Sequence, residues 1–150
     1  MSLTVAELKV LSFGYLTGAD LKQFCPPQLL IKIYEVDSDA LNTGCQFAYS
    51  ELKSSLSNRY NVDLELALTT DRNQLCVKIA AILAIRNILG DAQNISDKML
   101  SDFTWADKQL ISIRNGQIAL GLKIPEDTDG NTLANYSNAN LISSNFQTLG

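Results

Sequence analysis

The chain contains no histidine. That removes His-based catalytic triads, the commonest general base and the usual zinc ligand set. Its three cysteines, Cys25, Cys45 and Cys76, form no CxxC pair, and their count is odd. Cys76 lies in an apolar run and Cys45 on a helix face, where a thiol reads as a small buried hydrophobe in a reducing cytoplasm. The twelve Lys and Arg are spread from Lys9 to Lys123 without a cluster, and the formal net charge is −4. Nucleic-acid binding without sequence preference needs a basic face that displaces counterions, and none is visible. Gly116, Gly121 and Gly130 fall in no GxGxxG or Walker pattern, so no phosphate cradle is implied. The N-terminal stretch MSLTVAELKV has no basic region followed by an apolar run, so no signal peptide is suggested. No apolar run reaches the ~20 residues that cross a bilayer, so no membrane is expected.

What the chain does have is a 15-residue stretch, LCVKIAAILAIRNIL from Leu75 to Leu89, with Lys78, Arg86 and Asn87 as its only strongly polar members. Apolar residues fall on nearly every side of its helical wheel. Such a helix is buried on most sides, so the pattern predicts a central core helix that others wrap. At 150 residues the chain fits one domain with a real core.

The other elements follow in order. Thr4 and Glu7 match a capping box for a helix from Val5 to about Leu11. Gly14 breaks the chain, and Thr17 caps a short helix through Leu21 and Phe24 that Pro26-Pro27 ends. Residues Gln28 to Val36 read as helix or short strand, and Pro27 at a first helical position favours helix. Asp37-Ser38-Asp39 is expected to cap a second long helix. Its stripe is Leu41, Cys45, Ala48, Leu52 and Leu56, with Gly44 admitting another backbone and Arg59 in its last turn. Val62 to Leu68 alternates apolar and polar residues, which predicts a short strand or extended linker with Asp63 and Glu65 on a solvated side. Thr69-Thr70-Asp71 is expected to cap the central helix and Gly90 to end it. Ser96 and Asp97 start a last helix with the stripe Met99, Phe103, Ala106, Leu110 and Ile113, stopped by Asn115-Gly116. Residues 117–124 read as an apolar, extended piece.

Beyond Pro125 the character changes. Residues 126–150 hold no Lys or Arg, five Asn and many Ser and Thr. Few large apolar residues occur in a row, so the segment is read as either disordered or an arm that orders on a neighbouring subunit. Its apolar anchors are Tyr136, Leu141, Ile142 and Phe146. The expected division is a helical domain over 1–124 and an Asn/Ser-rich tail over 125–150.

Candidate chemistry is sparse. Asp127-Thr128-Asp129-Gly130-Asn131 resembles part of a calcium loop, but Pro125 and Tyr136 then stand where oxygen ligands belong. A solvated turn explains it, and no metal or other cofactor is expected. Asp37 and Asp39 serve as caps rather than as paired carboxylates. Lys78 and Arg86 share a side of the central helix. They are read as either a charged strip for a partner subunit or two stems at its only wet edge. Trp105 is off the last helix's stripe and is read either as ordinary packing or as an interface anchor, for which it is the best single candidate. No catalytic group is assigned.

From about Ser38 to Leu122 the order of elements resembles the small neck proteins of Mu-like prophages, which look like head–tail connector adaptors of tailed phages. The matching residues are Ala48, Glu51 and Leu52 on a helix ending in Arg59-Tyr60, then Leu64 in a linker. Ile79-Ala80 and Ala84 follow on an apolar helix, and Leu110 with Ile113 precedes Gly116, Ile118 and Leu120. The chain departs from the pattern in having no proline between Tyr60 and Asp71 and a longer Asn-rich tail.

The resemblance implies an all-α, non-enzymatic virion protein. It would assemble as a ring-like homo-oligomer in the host bacterial cytoplasm, contact portal and tail-side proteins, and sit at the virion neck. It adds no cofactor and no specific nucleic acid. Ring contacts are heterologous, and segments 62–68 and 117–124, with Leu64, Leu66, Ile118 and Leu120, are the pieces expected to join subunits. The alternatives are a helical DNA-binding or regulatory module built on the last two long helices, and a carboxylate enzyme, which the absent histidine and unpaired acids disfavour. Deleting the residues after Pro125 is expected to leave the melting temperature nearly unchanged while weakening assembly. A large fall in melting temperature would instead place the tail in the core.

Overall fold

A computed structural model describes residues 3–90 and 95–124. Among these residues there are seven helices and no strand, apart from an isolated antiparallel bridge between Ser12 and Thr17. The helices are α1 (Val5–Val10), α2 (Gly18–Leu21), α3 (Pro27–Val36), α4 (Ala40–Leu56), α5 (Val62–Leu66), α6 (Gln74–Leu89) and α7 (Asp97–Arg114). The all-α reading holds, and the segment read as helix or strand is helix α3.

The apolar run is the core helix. Ten of the sixteen residues of α6 are buried, including Ile79, Ala80, Ile82, Leu83 and Ile85. Each large aliphatic side chain removed from water contributes about 1.5–3 kcal/mol, and α6 alone could not bury them. Helices α4, α7 and α2 supply the cover. The stripe of α4, from Leu41 through Cys45, Ala48 and Leu52 to Leu56, is entirely buried. In α7, Met99, Ala106, Leu110 and Ile113 are buried and Phe103 is half-buried against the same core.

Gly44 sets the approach of α4 to α6. A Cβ built there would lie 2.3 Å from Ile88 Cγ1 and 3.2 Å from the Ala84 carbonyl oxygen. The bare backbone therefore fits where a side chain would not. Gly90 ends α6 with a φ of 54°, a left-handed position that glycine takes at little cost.

Several helix ends behave as their sequences predict. Thr4 and Glu7 close a capping box on α1, and Thr17 and Asp20 close another on α2. Ser96 accepts from the Met99 amide at the start of α7. Other ends differ. Asp39 makes no side-chain cap at α4; instead Asp37 Oδ1 accepts from the Asp39 amide at 3.0 Å, bracing the turn before the helix. Arg59 lies beyond the α4 end and is buried, so Lys53 is the basic residue of the last turn. The cap of α6 is Asn73, whose side chain accepts from the Cys76 amide, rather than Thr69-Thr70-Asp71. Asp71 instead takes a φ of 55° in the turn, a conformation that Asp tolerates better than most residues.

The largest correction concerns Val62 to Leu68. The segment is neither strand nor extended linker; its first five residues form the short helix α5, capped by Asn61 accepting from Leu64 N–H. Helical spacing turns Val62 and Glu65 inward and leaves Leu64 half-exposed and Asp63 exposed. Residues 117–124 form neither helix nor strand: residues 117–118 bend back to bond the Ser112 carbonyl, Gly121 takes a φ of 84°, and the segment packs on its own chain. Leu120 is 3% exposed, and the Asn61 amide donates to the Lys123 carbonyl at 2.7 Å. The tail anchors Tyr136, Leu141, Ile142 and Phe146 and the Asp127–Asn131 turn lie outside the described residues.

Close contact at Gly44 has a measurable consequence. Gly44→Ala gains about 1 kcal/mol of helix propensity, against about 1–3 kcal/mol for overpacking. Net destabilisation in urea titration is the expected outcome. Combining it with Ile88→Ala should cost less than the sum of the two single changes. A Gly44→Ala protein more stable than wild type would show that the α4–α6 contact is loose.

Candidate functional site

Two places bring polar groups together from distant parts of the chain. The first is a buried latch around Glu65. Tyr15 Oη donates to Glu65 Oε2, and the Asn73 amide donates to the same oxygen at 2.7 Å. Tyr15 and Glu65 are 1% and 7% exposed. The latch continues on both sides. Arg72 Nη1 donates to the Tyr15 carbonyl at 2.8 Å and to Asp20 Oδ2 at 2.6 Å, with Nη2 3.2 Å from Asp20 Oδ1. Asn73 Nδ2 donates to the Leu120 carbonyl at 2.7 Å, and the Leu120 amide donates to Tyr60 Oη at 3.1 Å. The expectation that Glu65 lies on a solvated side is therefore overturned: one helical turn carries its carboxylate under Tyr15.

The electrostatics of the latch are those of a tie. Burial first, then Cys76, and then the hydrogen bond to Glu65 push the Tyr15 hydroxyl far above the ordinary tyrosine range. Tyr15 therefore remains a neutral donor. The hydrogen bond to Asp20 raises the Arg72 pKa despite partial burial. Tyr49 fixes the Ser12–Thr17 turn in the same way, accepting from Leu16 N–H at 2.8 Å and donating to the Phe13 carbonyl at 2.7 Å. Burial pushes the thiols up, Cys25 to about 11 and Cys45 and Cys76 each to about 12. All three are free, buried and poor nucleophiles, and the burial of Cys45 and Cys76 is as read from their helix positions.

The second place is a cleft of ≈ 510 Å³ between the α2–α3 corner and the first turn of α7. Its lining includes the apolar Phe24, Leu29 and Met99 and the cationic Lys22, Lys32 and Lys98. Among the described residues, no Asp or Glu lines it. Lys98 reaches out to Asp102 at 3.2 Å, an exposed pair within α7. The three lysines lie ten and sixty-six residues apart in the sequence, so only the fold gathers them. No pattern in the chain announced this cleft.

The sequence-derived interface residues do not form one patch. Lys78 Nζ stands 4.2 Å from the centre of the Trp105 ring, a cation–π contact between α6 and α7. Trp105 is half-buried against the core. Arg86 bridges Glu51 on α4 and Asp107 on α7, each at 2.7 Å. Burial opposes the Arg86 charge, and Asp107 and Glu51 outweigh it, so its pKa is raised. Asn87 adds a bond to Glu51 at 2.7 Å. These residues therefore tie three helices together within one chain. Leu66 and Ile118 are half-buried, Leu64 is 50% exposed, and Leu120 is enclosed by its own chain and so not open to a partner. Leu64 also flanks a small recess of ≈ 260 Å³ with Asn61, Glu65, Leu68 and Lys123.

Among the described residues, no group of three or more His, Cys, Asp or Glu is placed to hold a metal. No described helix is long and apolar enough to cross a membrane. No family model matches the chain, and neither does any curated protein or solved structure.

Removing the latch carboxylate tests its burial. Glu65→Ala strands the Tyr15 hydroxyl and the Asn73 amide, and hydrogen bonds to a charged group are worth roughly 1.5–3 kcal/mol. The expected result is a loss of at least about 1.5 kcal/mol of stability in urea titration. A wild-type midpoint would return Glu65 to the solvated side of a linker.

Proposed function

We propose that this chain is a non-enzymatic structural protein of a tailed phage or prophage. It joins head and tail as a ring-forming connector at the neck. The observation that carries the reading is where the resemblance residues lie. Ala48 and Leu52 on α4, Ile79, Ala80 and Ala84 on α6, and Leu110 and Ile113 on α7 are all buried together in one core. Tyr60 holds the Leu120 amide, linking the Arg-Tyr pair to the apolar segment after the last helix. That the quoted apolar residues of three successive long helices share one core supports the reading.

The surface supports an assembling role. Leu100 and Ile111 are 50% and 47% exposed, and their spacing of eleven residues puts them on one face of α7. Phe47 on α4 is 59% exposed and Val36 at the end of α3 is 90% exposed. Scattered exposed apolar residues are ordinary, but a pair aligned on an 18-residue helix offers a strip for a neighbouring subunit. The latch around Glu65 already has its donors from within the chain, which leaves it a structural role.

Mixing the protein with the purified portal from the same locus, followed by cross-linking and light scattering, tests the reading. Ring-sized oligomers, alone or on the portal, are expected, with adducts between the two proteins. Leu100→Lys with Ile111→Lys should reduce assembly without lowering the melting temperature. A protein that stays monomeric at every concentration and forms no adduct with the portal is not a connector.

A further inference from the structure

The cleft between α2–α3 and α7 is absorbed neither by the latch nor by the core. Its chemistry is specific: an apolar lining of Phe24, Leu29 and Met99 among Lys22, Lys32 and Lys98, with no acid among the described lining residues. Its volume of ≈ 510 Å³ lies within the roughly 300–1,000 Å³ typical of ligand sites. A fitting occupant carries negative charge and large apolar side chains on the same short chain.

Such a chain exists in this protein. Residues 126–150 hold Glu126, Asp127 and Asp129, no Lys or Arg, and the apolar Tyr136, Leu141, Ile142 and Phe146. We infer that the 126–150 segment of one copy occupies the lysine-lined cleft of a second copy, an inference whose assembly between copies rests on the connector reading. The three acids answer Lys22, Lys32 and Lys98, the last of which also pairs with Asp102 within α7, and the aromatic and aliphatic side chains answer the apolar lining.

The choice of a second copy over the same one follows from the connector reading, in which one surface of a subunit meets a different surface of the next. The cleft includes Ser96, Lys98 and Met99 at the N-terminal end of α7, whereas residues 117–124 begin at its C-terminal end. For an 18-residue helix those ends are about 27 Å apart. Residues 117–124 then pack beside Asn61 and Asn73, neither of which lines the cleft. The exit of the tail and the cleft are therefore two different surfaces of one subunit, as head-to-tail assembly requires. Reach is ample: 25 residues extend to at most about 85 Å, against a radius of gyration of roughly 15 Å for a chain of this size.

The test uses the full chain with a benzophenone amino acid in place of Phe146. Equal amounts of normal and heavy-isotope protein are mixed, irradiated, and mapped by mass spectrometry. Adducts between a heavy and a normal copy are expected, on residues 22–32 or 96–99. Charge reversal of the cleft, K22E/K32E/K98E, should cut that yield about tenfold, since each exposed pair is worth about 0.2–1 kcal/mol. Adding E126K/D127K/D129K to the same chain should restore it, and both variants should melt like wild type. Adducts confined to single copies, adducts elsewhere on the surface, or a yield indifferent to charge reversal overturn the inference. The portal experiment is read separately. Rings that form with the tail mapped elsewhere sink the cleft assignment alone, and a monomer that never meets a portal sinks the connector reading.

Discussion

The packing of α4 against α6 is the constraint on which the remaining architecture depends. A helix that is apolar on most of its circumference cannot rest on one partner, because every uncovered side leaves Ile or Leu in water. Gly44 lets α4 come close on one side, with Ala84 and Ile88 directly beneath. Once that contact is fixed, α7 and α2 close over what α4 leaves open. The polar residues of α6 then have few places to go. Lys78 settles over Trp105, and Arg86 is clasped between Glu51 and Asp107. The charges of α6 therefore stitch together the same three helices that its apolar residues fill.

How much of this was legible in the sequence depends on the length of each element. The stripes Leu41–Leu56 and Met99–Ile113 span four turns or more, so their spacing identified both helix and buried face correctly. The run from Leu75 to Leu89 identified the core helix for the same reason. Val62 to Leu68 failed because one helical turn is too short to separate a period of 3.6 from a period of two. Leu64 and Glu65 exchange sides between the two readings. The useful signal was Asn61, whose short polar side chain suits a helix cap and does cap α5. Asn73 was passed over in the same way in favour of the three residues Thr69-Thr70-Asp71.

The polar latch and the cleft were illegible for a different reason. Tyr15 and Glu65 are fifty residues apart, and Asp20 and Arg72 fifty-two. Nothing local to either partner of a pair marks the other. Lys22, Lys32 and Lys98 likewise look like three scattered lysines until the α2–α3 corner meets the start of α7. A chain without a basic cluster in sequence can still present a cationic cleft, because clustering is a property of the folded surface. The weak net negative charge therefore excluded less than it seemed to. It argued against a broad basic face for nucleic acid, and it was silent about a local site for an acidic peptide.

The buried carboxylate beside Tyr15 is tied to its own chain by hydrogen bonds. Glu65 accepts from Tyr15 and from the Asn73 amide on the same oxygen, and Tyr15 is held neutral by burial. Asn73, in turn, caps α6 with its side-chain oxygen and holds the Leu120 carbonyl with its nitrogen. Each group therefore fixes another piece of backbone: the turn before α6, the start of the core helix, and the strip that follows α7. Such a network holds the segment after α7 against the helical core through Asn73, Tyr60 and Asn61.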